Sequence, residues 1–191
     1  YCRKSGCSME SILMKPIAIA SDHGGFRMKE IVKSMLEKSN ISYKDYGTTS
    51  EESCDYPDYG APAAMAVSEG ESERAILFCG SGSGMAIVAN KFLGVRAVNC
   101  YDEWGTLMSR RHNDANIMAI GERCSIEPDD ILRLVNLWLK TSFDGGRHTY
   151  RISKITELER LRRSTIERLR ETNSFTPSDS VQYYTPSSDR K

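Results

Sequence analysis

RAILFCGSGSGMAIVANK, residues 74–91, reads as a strand that empties into a loop and then a helix. Ala75 to Phe78 form an apolar run with the length of a buried strand, and Cys79 stands at its end. Gly80, Ser81, Gly82, Ser83 and Gly84 alternate before an apolar segment of helical character. Glycines let backbone N–H groups approach a ligand, and a helix N-terminus adds partial positive charge, so the stretch has the form of an anion-binding loop. The same groups stabilise a thiolate at the strand's end. The loop is not the G-x-G-x-x-G of dinucleotide folds, because it follows the third strand, and it lacks the Gly-Lys-Ser/Thr of a Walker loop. An inert buried thiol is the competing reading of Cys79, although packing alone gains nothing from a place at the mouth of a glycine loop.

Working outward, the spacing predicts strands over 15–20 (KPIAIA), 41–46, 75–78, 95–100 (VRAVNC) and 117–120. Helical patterns fall between them: Phe26, Ile31, Val32, Met35 and Leu36 share one face, Pro57 and Pro62 precede an alanine-rich helix, 102–111 forms another, and Pro128-Asp129-Asp130 starts a further one lined by Ile131, Leu132, Val135 and Leu139. Strands alternating with helices in this way predict an α/β fold, a Rossmann-like three-layer sandwich on a five-stranded parallel sheet. Ligands of such sheets bind beyond the carboxyl ends of the strands. Asp22-His23, Cys79 with its loop, and the residues after Ile120 all stand at such ends.

From Gly145 the character changes to a long charged helix running to about Glu171, with a thin apolar stripe of Ile152, Ile155, Leu158, Leu161, Ile166 and Leu169. Residues 173–191 are rich in Ser, Thr, Pro and Asp and are expected to be disordered. The expected organisation is an N-terminal extension over 1–14, also disordered, one domain over 15–160, and a helical extension with its tail over 161–191. Tyr1 is not a Met, and Met9 and Met14 are candidate start residues.

Lys plus Arg and Asp plus Glu number 26 each, so no general attraction to nucleic acid or to an anionic membrane follows from net charge. No apolar run reaches the ~18–20 residues that span a bilayer, and YCRKSGCSMESIL lacks the apolar core of a signal peptide. The six cysteines, at 2, 7, 54, 79, 100 and 124, form no Cys-x-x-Cys pair. That argues against a zinc site or a disulfide scaffold and for a reduced, cytoplasmic setting. Cys54, Cys100 and Cys124 read as structural.

His23, His112 and His148 lie in short polar stretches at predicted element ends. Any one of them alone reads equally well as a turn or capping residue, and Asp22 as the cap of the next helix. Taken together, with strand ends converging on one side, they point to a site. Arg147 and Arg151 are four apart on one helix face, a spacing that lets two guanidiniums grip a phosphate. The later run of Arg160, Arg162, Arg163, Arg168 and Arg170 is interleaved with glutamates and reads as a solvated face.

Five blocks occur in order: SDHGG (21–25), DYPDY (55–59), CGSGSGMAIVANK (79–91), RRHNDANIMAIG (110–121) and GGRHTYRI (145–152). On these the sequence resembles the B-type ribose-5-phosphate isomerases and the related galactose-6-phosphate isomerase subunits, over roughly residues 15–158. The resemblance implies a dimer or a tetramer of dimers with sites shared between subunits, and neither metal nor other cofactor. It implies that Cys79 is the base moving a proton between C2 and C1 of the open-chain sugar and that His112 opens the ring. Asp22, His23, Tyr56 and Asn113 would contact substrate. Ser81 with the loop amides of Gly80, Gly82, Ser83 and Gly84 would hold the enediolate oxygen, and Arg147 and Arg151, joined by Arg123, the phosphate. Some members carry a carboxylate base in the helix after the loop; here that position is Met85, which takes no proton. The expected reaction interconverts D-ribose 5-phosphate and D-ribulose 5-phosphate in the non-oxidative pentose phosphate pathway. The alternatives are a six-carbon aldose 6-phosphate (allose or galactose), or a non-catalytic sugar-phosphate-binding module.

Overall fold

The computed structural model describes residues 15–124 and 127–172. The extensions over 1–14 and 173–191, with Cys2 and Cys7, lie outside the described residues. Five strands, β1 (Ile17–Ser21), β2 (Tyr43–Asp45), β3 (Ala75–Cys79), β4 (Ala97–Asn99) and β5 (Ile117–Gly121), form one sheet in the order β2-β1-β3-β5-β4. Every pairing is parallel, with Ile19 opposite Ile76 and Cys79 opposite Gly121. Helices α1 (Phe26–Lys38), α2 (Tyr56–Ser68), α3 (Ser83–Ala89) and α4 (Glu103–Arg111) supply the crossovers, and α5 (Pro128–Lys140) follows the last strand. A single 3-10 turn, His23–Gly25, joins β1 to α1.

The central strands are buried on both faces, so their sequences run apolar without a polar alternate. Their side chains still sort by parity. Ala75, Leu77 and Cys79 pack with Ala18, Ala20, Ala63, Ala64 and Met85, toward α2 and α3. Ile76 and Phe78 pack with Ile17, Ile19, Val32, Leu36, Val135 and Trp138, toward α1 and α5. The first face is built largely of alanine, which lets α2 and α3 lie close to the sheet.

The chain runs from β1 to β2 in one direction and then returns to place β3 on the other side of β1. The crevice beyond the carboxyl ends of β1 and β3 is therefore the topological switch point, the place where such sheets bind ligands.

The chain divides into two compact units, Tyr1–Asp144 and Gly145–Lys191. The described part of the second is one charged helix, α6 (Arg147–Glu171), matching the helix expected there. Among the described residues no helix is long and apolar enough to cross a membrane.

Candidate active site

Cys79 ends β3 almost fully buried, and its Sγ accepts a hydrogen bond from the Gly82 backbone N–H at 3.0 Å. That bond requires the chain to turn sharply at Gly82, which has φ +77 and leads directly into α3. A side chain there would be strained by the left-handed backbone, and its Cβ would lie 2.2 Å from Asn99 Oδ1. Asn99, the last residue of β4, donates through Nδ2 to the Ser81 carbonyl at 3.1 Å and to the Ser83 hydroxyl at 3.1 Å. The Ser81 hydroxyl accepts from the Ser83 N–H at 3.4 Å. After β5, the backbone N–H groups of Glu122 and Arg123 donate to the carbonyls of Cys79 and Gly80, both at 3.0 Å. The stem of Arg123 runs beside Gly80, where an added Cβ would lie 3.5 Å from Arg123 Cδ.

Asp22 and His23 arrive from β1. The close approach of this turn to β3 needs Gly25, because a Cβ there would lie 2.5 Å from Phe78 Cβ and 2.8 Å from the Cys79 nitrogen. Asp22 is buried, and its Oδ1 has no hydrogen-bond partner among the described residues. Burial pushes its carboxyl above the ordinary value, against the pull of His23, the Gly24 and Gly25 amides and Arg123. A buried acceptor kept unpaired at the switch point is the mark of a group waiting for a ligand's donor. His23 Nδ1 lies 3.2 Å from both the backbone N–H and the carbonyl of Cys54, which fixes the ring through Nδ1. The Tyr56 ring opens α2 and lies on Gly84, whose Cβ would come within 3.0 Å of Tyr56 Cζ.

The switch point thus brings together Asp22, His23, Tyr56, Cys79, Gly80, Ser81, Gly82, Ser83, Gly84 and Arg123. It does not gather His112 and Asn113 within one chain. Both follow α4 and precede β5, and the Asn113 carbonyl accepts from Arg96 Nε at 2.9 Å, just ahead of β4. They stand at the amino edge of the sheet, on the order of 15 Å from the carboxyl ends at the rise of a strand. In a parallel sheet a loop that follows a helix and precedes a strand lies at the amino edge, so the predicted order of helix 102–111 and strand 117–120 already carries this placement. Arg147 and Arg151 are exposed and one turn apart at the start of α6, in the second unit. Met85, the position of the rival carboxylate, is fully buried. Among the described residues no group of three or more His, Cys, Asp and Glu could hold a metal ion.

Four contributors were not anticipated from sequence: Asn99, Glu122, Cys54 and Cys124. Asn99 carried a signal, a polar residue at the carboxyl end of the otherwise apolar Val98-Asn99-Cys100 segment. Glu122 Oε2 accepts the Met28 N–H at 3.2 Å in the first turn of α1. Cys54 Sγ lies 4.0 Å from His23 Nδ1, and Cys124 Sγ lies 3.7 Å from the Ser81 carbonyl, so neither is remote from the site.

Comparison with known proteins converges on one family. The family model described as Ribose/Galactose Isomerase matches residues 17–155. Ribose-5-phosphate isomerase B of Escherichia coli (strain K12) is 41% identical over 149 residues, covering 78% of this chain and 99% of the relative. The structure of Clostridium thermocellum ribose-5-phosphate isomerase B is similar with a TM-score of 0.74 at 47% identity, covering 76% of this chain and 97% of that one. The Mycoplasma genitalium ribose-5-phosphate isomerase B, solved with ribulose-5-phosphate bound, aligns with a TM-score of 0.74 at 33% identity over 78% of this chain and 98% of its own.

Proposed function

The chain belongs to the ribose/galactose isomerase family and is an aldose–ketose sugar-phosphate isomerase, and we propose that it interconverts D-ribose 5-phosphate and D-ribulose 5-phosphate with Cys79 as the base. The observation that carries this reading is the Gly82 N–H aimed at Cys79 Sγ at 3.0 Å, at the switch point and beside Asp22 and His23. The thiolate removes the C2 proton of the open-chain aldose. The electron pair forms the C1–C2 double bond as the carbonyl pair moves onto O1, giving a cis-enediolate. A proton passes from O2 to O1, the C2–O2 carbonyl forms, and the thiol returns its proton to C1 to give the ketose. Charge grows on the enediolate oxygens during transfer, and the Ser81 hydroxyl with the remaining amides of the 80–84 loop receives it. Removing one preorganised donor of this kind typically costs ~2.7–4 kcal/mol of barrier.

Asp22, with its unpaired Oδ1, and His23, through Nε2, orient the sugar hydroxyls, and the Tyr56 ring walls the pocket. Arg147 and Arg151, one turn apart on α6, are a guanidinium pair suited to the phosphate, and Arg123 is a further candidate for it; holding the phosphate positions C1 and C2 without touching them. His112 opens the furanose ring and Asn113 contacts the sugar. Since both stand at the opposite edge of the sheet from Cys79 in one chain, they serve the site of a second copy. The working enzyme in this reading is a homodimer or a tetramer of dimers.

The test is a panel of ribose 5-phosphate, allose 6-phosphate and galactose 6-phosphate assayed under one set of conditions. The expected result is the highest kcat/KM on ribose 5-phosphate. Turnover confined to a six-carbon phosphate would replace the substrate while keeping the chemistry, and binding without turnover on the whole panel would overturn the reading.

A further inference from the structure

The peptide that holds Cys79 is itself held. Its N–H half, on Gly82, donates to Cys79 Sγ at 3.0 Å, and its carbonyl half, on Ser81, accepts from Asn99 Nδ2 at 3.1 Å. A peptide unit is planar and stiff, so fixing the carbonyl fixes the direction in which the N–H points. The donated bond also polarises the unit and strengthens the N–H as a donor on the far side. Asn99 Nδ2 reaches the Ser83 hydroxyl as well, at 3.1 Å, which ties the first residue of α3 to the same anchor. The one other contact on the Ser81 carbonyl given by the structure is Cys124 Sγ at 3.7 Å, a longer and weaker bond.

The anchor carries a penalty. Asn99 Oδ1 is buried with no hydrogen-bond partner among the described residues, an arrangement that an apolar residue in this position would avoid. It also demands glycine at 82, whose Cβ would otherwise collide with that oxygen. Buried polar atoms left unsatisfied call for an explanation, and the orientation of the catalytic loop supplies one.

We propose that Asn99 is a positioning residue for the isomerisation: it aims the Ser81–Gly82 peptide at Cys79 and so maintains the thiolate as a base. The proposal rests on the reading of Cys79 as that base. The other titratable groups around the loop, Asp22 and His23 after β1, Tyr56 on α2 and Arg123 after β5, are left in place when Asn99 is changed. A change in thiol reactivity then traces to the peptide.

The experiment uses full-chain Asn99→Ala and Asn99→Leu, the second keeping the approximate size of the side chain while removing the donor and adding no charge. Iodoacetamide labelling of Cys79, located by peptide mass spectrometry, is followed against pH alongside kcat and KM on ribose 5-phosphate. The expected result is a labelling midpoint moved to higher pH in both variants, with the acid limb of kcat/KM moving with it. At pH 7, kcat falls about 10- to 100-fold, the size of a lost hydrogen bond to a charged group, while KM stays within about threefold. Thermal melts identify the folded variants, and if Asn99→Ala does not fold, Asn99→Leu decides alone. A wild-type labelling midpoint in the folded variants overturns the proposal, as does an unchanged kcat. Failure of the underlying base assignment looks different: Cys79→Ala then retains turnover, whereas labelling of Cys79 reports on Asn99 whether or not Cys79 is the base.

Discussion

Asp22 carries an energetic penalty from its burial, and that makes it testable apart from catalysis. Burial raises its carboxyl above the unfolded value, so the folded state binds the proton more tightly than the unfolded chain. Stability from this group is intact below the ordinary carboxylate value of about 3.9, is lost as pH rises through the raised one, and stays lost at neutral pH. Asp22→Asn should therefore melt at higher temperature than the wild type at pH 7, with the gap closing toward pH 3. Turnover should fall at least about tenfold, because a charged hydrogen-bond partner of the sugar is gone. A melting curve at each pH and one kinetic assay check both halves. Gly82→Ala should lose stability and activity together, since φ +77 and the 2.2 Å approach to Asn99 both oppose a Cβ. The residues most legible in the sequence were those carried on the glycine loop and on the Asp22-His23 turn, where a strand end and a chemical group coincide. Asn99 was missed because its importance lies in a contact made across the sheet, between β4 and the loop after β3.

At the scale of elements, Lys29 shows what periodicity hides. Lysines between the apolar positions of α1 read as its solvent face, yet Lys29 is 1% exposed. It donates to the Thr48 carbonyl at 2.7 Å and pairs with Asp45 at 2.8 Å, joining α1 to the end of β2 and the turn beyond it. Burial opposes ionisation of Asp45, but hydrogen bonds from Lys29, Lys33 and the Gly47 amide prevail and hold its carboxyl below the usual range. That stabilisation is present above the ordinary carboxylate value and disappears as pH falls through the lowered one. Lys29→Met should cost roughly 2–4 kcal/mol at pH 7, as the loss of one buried ionic partner does, and less at pH 3; chemical denaturation at the two pH values measures it. The edge strands were the other imperfect element. β2 and β4 span Tyr43–Asp45 and Ala97–Asn99, shorter than the expected 41–46 and 95–100, although Ser42 and Tyr46 still bond to β1 and Arg96 and Cys100 to β5 through the backbone. The long α6 was legible end to end, since its charge pattern needs no partner to be recognised as helix. The family match stops at residue 155, short of the end of that helix. Truncation after Arg160 should leave turnover and KM unchanged; a large loss would show that the remainder supports the site.

For the whole molecule, the parallel three-layer sandwich followed from alternating strands and helices, and so did the clustering of strand-end residues. The amino-edge placement of His112 and Asn113 was carried by the order of the predicted helix 102–111 and strand 117–120, whereas the strand order, and with it the switch point, rests on pairings across the sheet that spacing along the chain does not give. The proposed sharing between copies has a direct consequence. Cys79→Ala and His112→Ala proteins, each inactive, should regain about a quarter of wild-type activity when dissociated and reassembled together, because in a twofold dimer one site of each mixed pair is intact. No recovery would place both residues in the same chain's site or remove His112 from it. The account stands first on the thiol. Turnover of ribose 5-phosphate by Cys79→Ala, with sugar-phosphate binding measured calorimetrically on the same sample, tests it most directly: the account predicts undetectable isomerisation with binding nearly intact, and retention of more than a few per cent of activity would contradict it.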